Sequence, residues 1–432
     1  MIMHDPTEYI RGIQQILTSD KKRIGFLFGA GSSLAQKNAK SLIVPAIEKM
    51  TTTIVEKVGE IQEKYKTAFE KIKKELGEHN FNIETILSNL EQKSVFIGDE
   101  TLNNLKKEDF EKLIIEIKKN VREMVSVHNV RLCDISSKEE FYQVVSKDIV
   151  EELLQTDFAN WIGQAERKYP VEIFTTNYDF LFELGLEDKE IPYYDGFCGS
   201  LRPFFNPESV EDLEFLSKQT KLWKIHGSLG WHFDRDTEKI LRVNSDDDDI
   251  LIYPSSLKYK DSKKQPYESL LDRLSNFLKK DDTILITCGY SWGDEHINSR
   301  LISALKTNTT SHVIGLIYDK YELITENCKL VKLGLDNSKI SLYGSKSAVI
   351  GRNFGDWQLK SEPTKDDTIS LNLYFDEDGP TDSEELKKEF KGTEKWTGKG
   401  EFILPDFSNL VIFLNEMISD NEIKKLGANV KK

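Results

Sequence analysis

The sequence predicts an α/β fold, an open parallel sheet with a large helical insertion and a small α+β region at the C-terminal end. Two observations carry that expectation. Residues 24–28 form a continuous apolar run of strand length that stops on Gly29-Ala30-Gly31-Ser32-Ser33, the form of a buried parallel strand feeding a tight turn. Three further strand-like runs end on Thr175-Thr176-Asn177-Tyr178-Asp179, Lys224-Ile225-His226-Gly227-Ser228 and Cys288-Gly289-Tyr290-Ser291-Trp292-Gly293-Asp294. In an open parallel sheet ligands sit beyond the carboxyl ends of the strands, so these four ends can converge on one crevice.

The elements follow in order. Residues 1–22 predict a lead-in helix, with Asp5-Pro6 as its start signal and Tyr9, Ile13, Ile16 and Leu17 on the face that meets the first strand. Residues 41–45, Ser-Leu-Ile-Val-Pro, read as a loop over the crevice. From about 46 to 168 the periodicity is helical throughout. Val58, Ile61, Tyr65, Ala68 and Ile72 follow three-four spacing among lysines and glutamates, which describes one amphipathic helix with a solvated outer face. Residues 83–90 predict a second helix, 110–127 a third, and 147–169, with Phe158 and Trp161, a last one ending at Pro170. The block reads as an insertion that caps the crevice or forms oligomer contacts.

Residues 171–175 predict the next strand, followed by a short helix that buries Phe180, Leu181 and Leu184. Residues 193–207 read as loop, 222–225 as strand, and 229–234 with 240–243 as a hairpin. The acidic run 244–249 lacks the spacing and loop glycine of an EF-hand, so a solvated loop is expected. A helix at 267–278 leads to a central strand at 283–288. Asp294, followed by Glu295, has the form of a helix N-cap, and 313–317 is a further strand. Past about 337 the composition shifts to Gly, Ser, Asp and Lys, with strand-like pieces at 340–343, 348–350, 369–375 and 402–404 and a terminal helix at 408–419. A boundary is expected there, dividing 1–336 from 337–432.

The totals exclude several classes. A formal net charge of −14 over 432 residues argues against a broad electrostatic footprint for nucleic acid. No apolar run approaches membrane-spanning length, and MIMHDPTEY lacks the basic and apolar regions of a secretory leader. Cys133, Cys198, Cys288 and Cys328 stand apart from one another. Neither a zinc site nor a disulfide framework is therefore expected, and the thiols suit a reducing cytoplasm.

The glycine turn is backbone that a phosphate can approach, and a helix starting at Ser32 or Ser33 would turn unpaired N–H groups toward an anion. The same Gly-x-Gly also serves as an ordinary turn. Asn177 reads equally as a helix N-cap, His226 as a histidine tying a strand end to a loop, and residues 289–291 as a simple turn. His232 and His296 fall on none of the strand ends and read as structural. The ordered set of four motifs weighs against those plain readings more than any one of them does.

GAGSS, TTNYD, KIHGS and GYSWGD, in that order on strand ends, resemble the sirtuin fold, a Rossmann-like sheet, and within it the sirtuin-like NAD-hydrolysing proteins of bacterial antiphage defence. Length, insertion and tail are similar to the members that act with a HerA-type ATPase. The resemblance implies that Gly29, Ala30, Gly31, Ser32 and Ser33 cradle the pyrophosphate of NAD+, that Asn177 holds the nicotinamide ribose and a water, with Thr176 beside it, and that Asp179 lies toward the nicotinamide pocket. It implies a catalytic role for His226 on the ribose hydroxyls, and places Gly289, Ser291 and Asp294 on the adenosine half, with Tyr318 and Asp319 as neighbours. A homo-oligomer with an ATPase partner is implied as well, without sequence-specific nucleic-acid contact.

The residue chemistry agrees. Cleaving the N-glycosidic bond of NAD+ releases neutral nicotinamide, so the leaving group needs no general acid of the ordinary glycosidase kind. An amide that donates and accepts, with a histidine titrating near neutrality, suits the holding of ribose and water. Sirtuin deacylases carry paired cysteines on a zinc module and a Gly-Ile-Pro-x-Phe-Arg-like segment. Here the pairs are missing and Leu42-Ile43-Val44-Pro45 matches that segment only loosely, which favours water over an acyl oxygen as acceptor. A binding module that senses NAD or ADP-ribose, and a scaffold for an ATPase or nuclease, are the competing expectations.

Overall fold

Residues 23–28, Arg-Ile-Gly-Phe-Leu-Phe, alternate their side chains across a sheet covered on both sides, which is why the run is apolar without interruption. The computed structural model describes residues 2–39, 41–127, 147–165, 167–234, 236–243, 249–251, 265–318, 328–363, 369–377 and 396–418. Its strands in chain order are β1 (Ile2–His4), β2 (Arg23–Phe28), β3 (Glu172–Thr175), β4 (Tyr193–Tyr194), β5 (Phe197–Cys198), β6 (Phe204–Phe205), β7 (Thr220–Lys224), β8 (Gly227–Asp234), β9 (Lys239–Arg242), β10 (Asp249–Leu251), β11 (Thr283–Cys288), β12 (His312–Leu316), β13 (Ile340–Tyr343), β14 (Ser347–Ile350), β15 (Asn353–Trp357), β16 (Phe375–Glu377) and β17 (Gly400–Phe402). The helices are α1 (Pro6–Thr18), α2 (Ala30–Leu34), α3 (Ile47–Gly59), α4 (Glu63–Leu76), α5 (Ile83–Phe96), α6 (Lys107–Val125), α7 (Lys147–Val150), α8 (Leu154–Gln164), α9 (Leu181–Asp188), α10 (Pro207–Glu211), α11 (Tyr267–Lys279), α12 (Glu295–Thr307), α13 (Lys329–Asp336) and α14 (Phe407–Ile418).

The main sheet runs β1-β15-β14-β13-β12-β11-β2-β3-β7-β4, and from β13 to β4 every pair is parallel. Its centre, β7-β3-β2-β11-β12-β13, has the doubly wound order 3-2-1-4-5-6 when those six strands are numbered along the chain. The order reverses between β2 and β11, the position where such sheets open a ligand crevice. One face packs Phe26 and Phe28 against α1, α8, α9 and α14. Phe28 stacks on Phe182 at 4.9 Å and meets Phe158 and Phe407 edge-on at 5.2 Å each. The other face packs Leu27, Phe174, Leu285 and Val313 against α11, α12 and α13.

Between β2 and β3 the helices α3 to α6 enclose a core of their own, centred on Ile54, Ala68, Leu87 and Phe110. Leu229 belongs to that core, and Val44, Tyr178 and Phe180 pack against it. The insertion therefore sits on the loops at the carboxyl ends of the strands. The single helix expected through Val58 and Ile72 is two, because the chain reverses over 60–62; Ile61 stays about half exposed while α3 and α4 lie together. Residues 147–169 are α7 and α8 rather than one helix, and α8 belongs to the sheet: Phe158 lies 5.1 Å from Phe26.

The lead-in helix is preceded by a strand, β1, that pairs with β15; three residues are too few to show a period. Asp5 caps α1 through Thr7 N at 2.9 Å, as its start signal predicts. Residues 193–207 contain β4, β5 and β6, and a five-stranded sheet β10-β8-β9-β6-β5 holds the predicted hairpin. Residues 369–375 form a short 3-10 turn with β16 starting only at Phe375. The stretch past Asn337 is not set apart: β13, β14 and β15 lengthen the main sheet, and α14 lies on α8. Residues 244–248 of the acidic run, Asp319 and Cys133 lie outside the described residues. No helix among the described residues is long and apolar enough to cross a membrane.

Candidate functional site

Ladder register puts Cys288, Phe28, Thr175 and Lys224 in one row across β11, β2, β3 and β7. Gly29 and Gly289 stand one residue past that row, and Asn177 and His226 two. The parallel pairing continues beyond the strands, with Gly29 N donating to Cys288 O at 3.2 Å, Thr176 N to Phe28 O at 3.1 Å and Ile225 N to Thr175 O at 2.8 Å. The four strand ends therefore leave the sheet together, on the side capped by the insertion.

Asn177 ties the glycine turn to β3. Its buried amide donates to Gly29 O at 3.0 Å, Ser32 Oγ at 3.1 Å and Ser33 Oγ at 2.7 Å. Ser33 Oγ donates onward to Asp179 Oδ2 at 2.7 Å, and Asp179 Oδ1 accepts Leu181 N at 3.1 Å. Ser32 Oγ donates to Gly29 O at 2.8 Å. Asn177 is thus not the cap of α9, whose first turn is held by Asp179 and which has Phe180 at its N-cap position. Asn177 Oδ1 accepts no hydrogen bond among the described residues.

The glycines let two loops touch. A Cβ at Gly29 would stand 2.5 Å from Gly289 O, one at Gly31 2.6 Å from Gly289 Cα, and one at Gly289 2.6 Å from Ser32 N. The turn and the loop after β11 pack backbone on backbone, joined by Gly31 N donating to Gly289 O at 3.0 Å. Gly289 has a φ of +64°, left-handed backbone that glycine adopts without strain. The helix begins at Ala30, earlier than Ser32 or Ser33, and runs only five residues. Ala30 is exposed and Gly31 half-buried, whereas Ser32 and Ser33 are buried and structural in their contacts.

His226 and Asp294 meet from different motifs, Nε2 to Oδ2 at 3.1 Å. They leave β7 and β11, strands separated in the sheet by β3 and β2, so the pair reaches across the end of the glycine-turn strand. Asp294 keeps its predicted capping role through Oδ1, which accepts His296 N at 2.9 Å and Ile297 N at 3.2 Å. One carboxylate thus starts α12 and holds the imidazole. The loop between them is braced by Tyr290 OH, which donates to Asn298 Oδ1 at 3.0 Å, and by Asn298 Nδ2, which donates to Trp292 O at 2.8 Å. Burial and the Asp294 charge push the Tyr290 phenol up, keeping it a donor. Ser291 is exposed, its Oγ accepting Gly293 N at 3.3 Å.

Three further residues hold these loops in place, and the sequence assigned a role to none of them. Gln155 on α8 donates to Ser32 O at 2.7 Å. Lys224 sends its buried ammonium to Tyr178 O, Asp179 O and Glu183 Oε1, bracing the loop that carries Asn177. Burial pushes the Glu183 carboxyl up from the usual carboxylate range against the pull of Lys224. Lys224 precedes a motif histidine and gave a signal as a charge inside an apolar run. Gln155 and Glu183 gave none, since a polar residue on a helix ordinarily reads as surface.

A SIR2-like domain model matches residues 171–332. That segment is therefore similar to SIR2-like domains. The match holds Asn177, Asp179, His226, Gly289 and Asp294, and it begins after the glycine turn and the insertion. No curated protein matches the chain. Among the described residues, no three His, Cys, Asp or Glu side chains gather to hold a metal ion.

Proposed function

We propose that the protein is an NAD+ glycohydrolase, cleaving the bond between nicotinamide and ribose. The observation that carries the reading is the His226–Asp294 pair at 3.1 Å, reaching across the end of the glycine-turn strand at the switch point of a doubly wound, sirtuin-like sheet. In the reaction the C1′–N bond breaks and its electrons neutralise the pyridinium, so nicotinamide leaves without a proton. Water adds its oxygen to C1′ and gives up a proton, and the products are ADP-ribose, nicotinamide and that proton.

The residues divide the work. Ala30 and Gly31, at the open side of the turn, would meet the pyrophosphate. Gly289 and Ser291 would border the adenosine half, with Tyr318 beyond them. His226 would hold the ribose hydroxyls and take the water's proton, and Asp294, rather than touching adenosine, would orient the ring and stabilise its charged form. Asn177 has its amide N–H groups committed to the turn; Oδ1 is the atom it has to offer a ribose hydroxyl or water. Asp179 and Ser33 would act as positioning residues behind it.

The resemblance to defence proteins extends the proposal to antiphage defence by NAD depletion, as a cytoplasmic homo-oligomer with a HerA-type ATPase partner. A second reading, a module that binds NAD or ADP-ribose without turnover, is favoured by one observation: the Ser32 and Ser33 hydroxyls and the Asn177 amide N–H groups are committed to internal hydrogen bonds. Nicotinamide release by the purified chain, alone and with its partner, separates the two. His226→Ala should lower turnover by about 10² to 10⁴ with an unchanged unfolding midpoint. Asn177→Ala should lose turnover and about 1–3 kcal/mol of stability, because it strips donors from a buried network. Absence of nicotinamide under every activating condition, with tight ligand binding that His226→Ala leaves intact, would replace hydrolysis by sensing.

A further inference from the structure

Away from the strand ends, the insertion holds a groove of about 1000 Å³ between α3 and α4 and the segment that leads into α5. That volume is at the upper end of what small-molecule sites enclose, and the groove follows helices of 13 and 14 residues, about 20 Å long at 1.5 Å per residue.

Its two surfaces differ in chemistry. Ile47, Val55 and Phe81 supply apolar side chains along the groove, where Ile47 is 38% exposed, and Phe69, buried in the insertion's core, lines it as well. Glu48, Glu56, Glu60, Glu63 and Glu70 border it and are all exposed. Among the described residues none of these five carboxylates has an ion-pair partner. Lys73, by contrast, is already paired with Glu78 at 3.0 Å, which leaves Lys66 as the groove's other cation.

Elsewhere in the insertion some carboxylates are matched, Lys57 with Glu123 at 2.8 Å, Lys64 with Asp109 at 2.7 Å and Lys118 with Glu91 at 2.8 Å, and others, Glu108, Glu111 and Glu116 on α6 among them, have no ion pair among the described residues. The groove nevertheless draws five of the unmatched carboxylates together along one trough. A long trough with apolar side chains and a predominantly acidic border is the complement of a basic amphipathic helix, which lays apolar residues at i, i+3, i+4 and i+7 on the floor and turns lysines or arginines to the rims.

We infer that the α3–α4 groove receives a basic, amphipathic helical segment of a partner protein. The inference is independent of the reaction at the strand ends. The probe is a labelled peptide of about 14 residues, leucines at helical i, i+3, i+4, i+7 spacing and lysines between them, titrated onto the full chain by fluorescence anisotropy. A peptide of the same composition, scrambled to remove the apolar face, is the control. The ordered peptide should bind at least about tenfold tighter than the scrambled one. The combined variant Glu56→Lys, Glu60→Lys, Glu70→Lys should weaken it by about tenfold or more, with denaturation midpoints checking that the variant is folded.

Val55→Glu separates groove from charge. It raises the acidity yet spoils the floor, so groove binding predicts weaker affinity where plain charge attraction predicts tighter. Equal binding of ordered and scrambled peptides, tighter binding to Val55→Glu, or no binding would each overturn the inference. So would a wild-type oligomer that the triple variant dissociates in sedimentation, because the occupant would then be a second copy of this chain.

Discussion

Gly289 shows how narrowly single residues set this site. Its φ of +64° and the 2.6 Å left between a built Cβ and Ser32 N make any larger residue push the loop after β11 away from the glycine turn. Gly289→Ala should therefore cost about 2–4 kcal/mol from backbone strain and overpacking together, read as a lowered denaturation midpoint. Gly98→Ala is its control, since a Cβ there meets nothing within 4 Å, and should shift stability by no more than about 0.5 kcal/mol. Trp292 stores strain in the same loop, a bulky residue at φ +58° with a buried indole N–H that has no partner among the described residues. Asn177 and His226 were legible as the polar ends of apolar runs. Their partners were not: nothing local says that Asn177 faces Ser33 or that His226 faces Asp294, because those contacts join residues 144 and 68 positions apart.

At the scale of elements, strong local signals survive folding. The strand at 283–288, the Asp294 cap and the Asp5 cap stand where their residues place them, because apolar continuity and capping chemistry act within one turn or one strand. Short strands such as β4, β5 and β15 depend on neighbours, and their residues carry no period long enough to read. The start of β12 offers a test of such neighbour effects. His312, whose Nε2 lies 2.9 Å from Ser341 Oγ on β13, is pushed by burial from 6.5 to about 4. The folded state favours the neutral ring, so its contribution is present above the unfolded pKa of about 6.5 and is lost as pH falls through about 4. Wild-type stability should drop over that interval by more than that of His312→Gln, as paired urea titrations at pH 7 and pH 4 would show.

For the whole molecule, the two ends of the chain close one sheet and one core. β1 pairs with β15, and Phe407 on α14 meets Phe28, Phe158 and Phe182 at 5.2, 6.4 and 6.2 Å. Phe407→Ala should cost about 3–5 kcal/mol. A fragment of residues 1–336 should fail to unfold cooperatively, since it leaves the β12 edge unpaired and the Phe28 face bare. A sharp two-state transition for that fragment would restore the boundary that composition suggests near 337. That composition shift is real, but composition reports solvent exposure of loops and not which sheet a strand joins.

By itself the sequence determined the α/β class, the four polar strand ends, most long elements and the helical block between the first two central strands, because each is written in short-range periodicity and turn chemistry. Only the tertiary structure decided the 3-2-1-4-5-6 strand order, the transfer of α8 and α14 to the sheet, the glycine-on-glycine contact and the carboxylate shared between His226 and α12. The reason is range. Pairing, layer packing and hydrogen bonds between distant loops depend on contacts that no window of neighbouring residues contains.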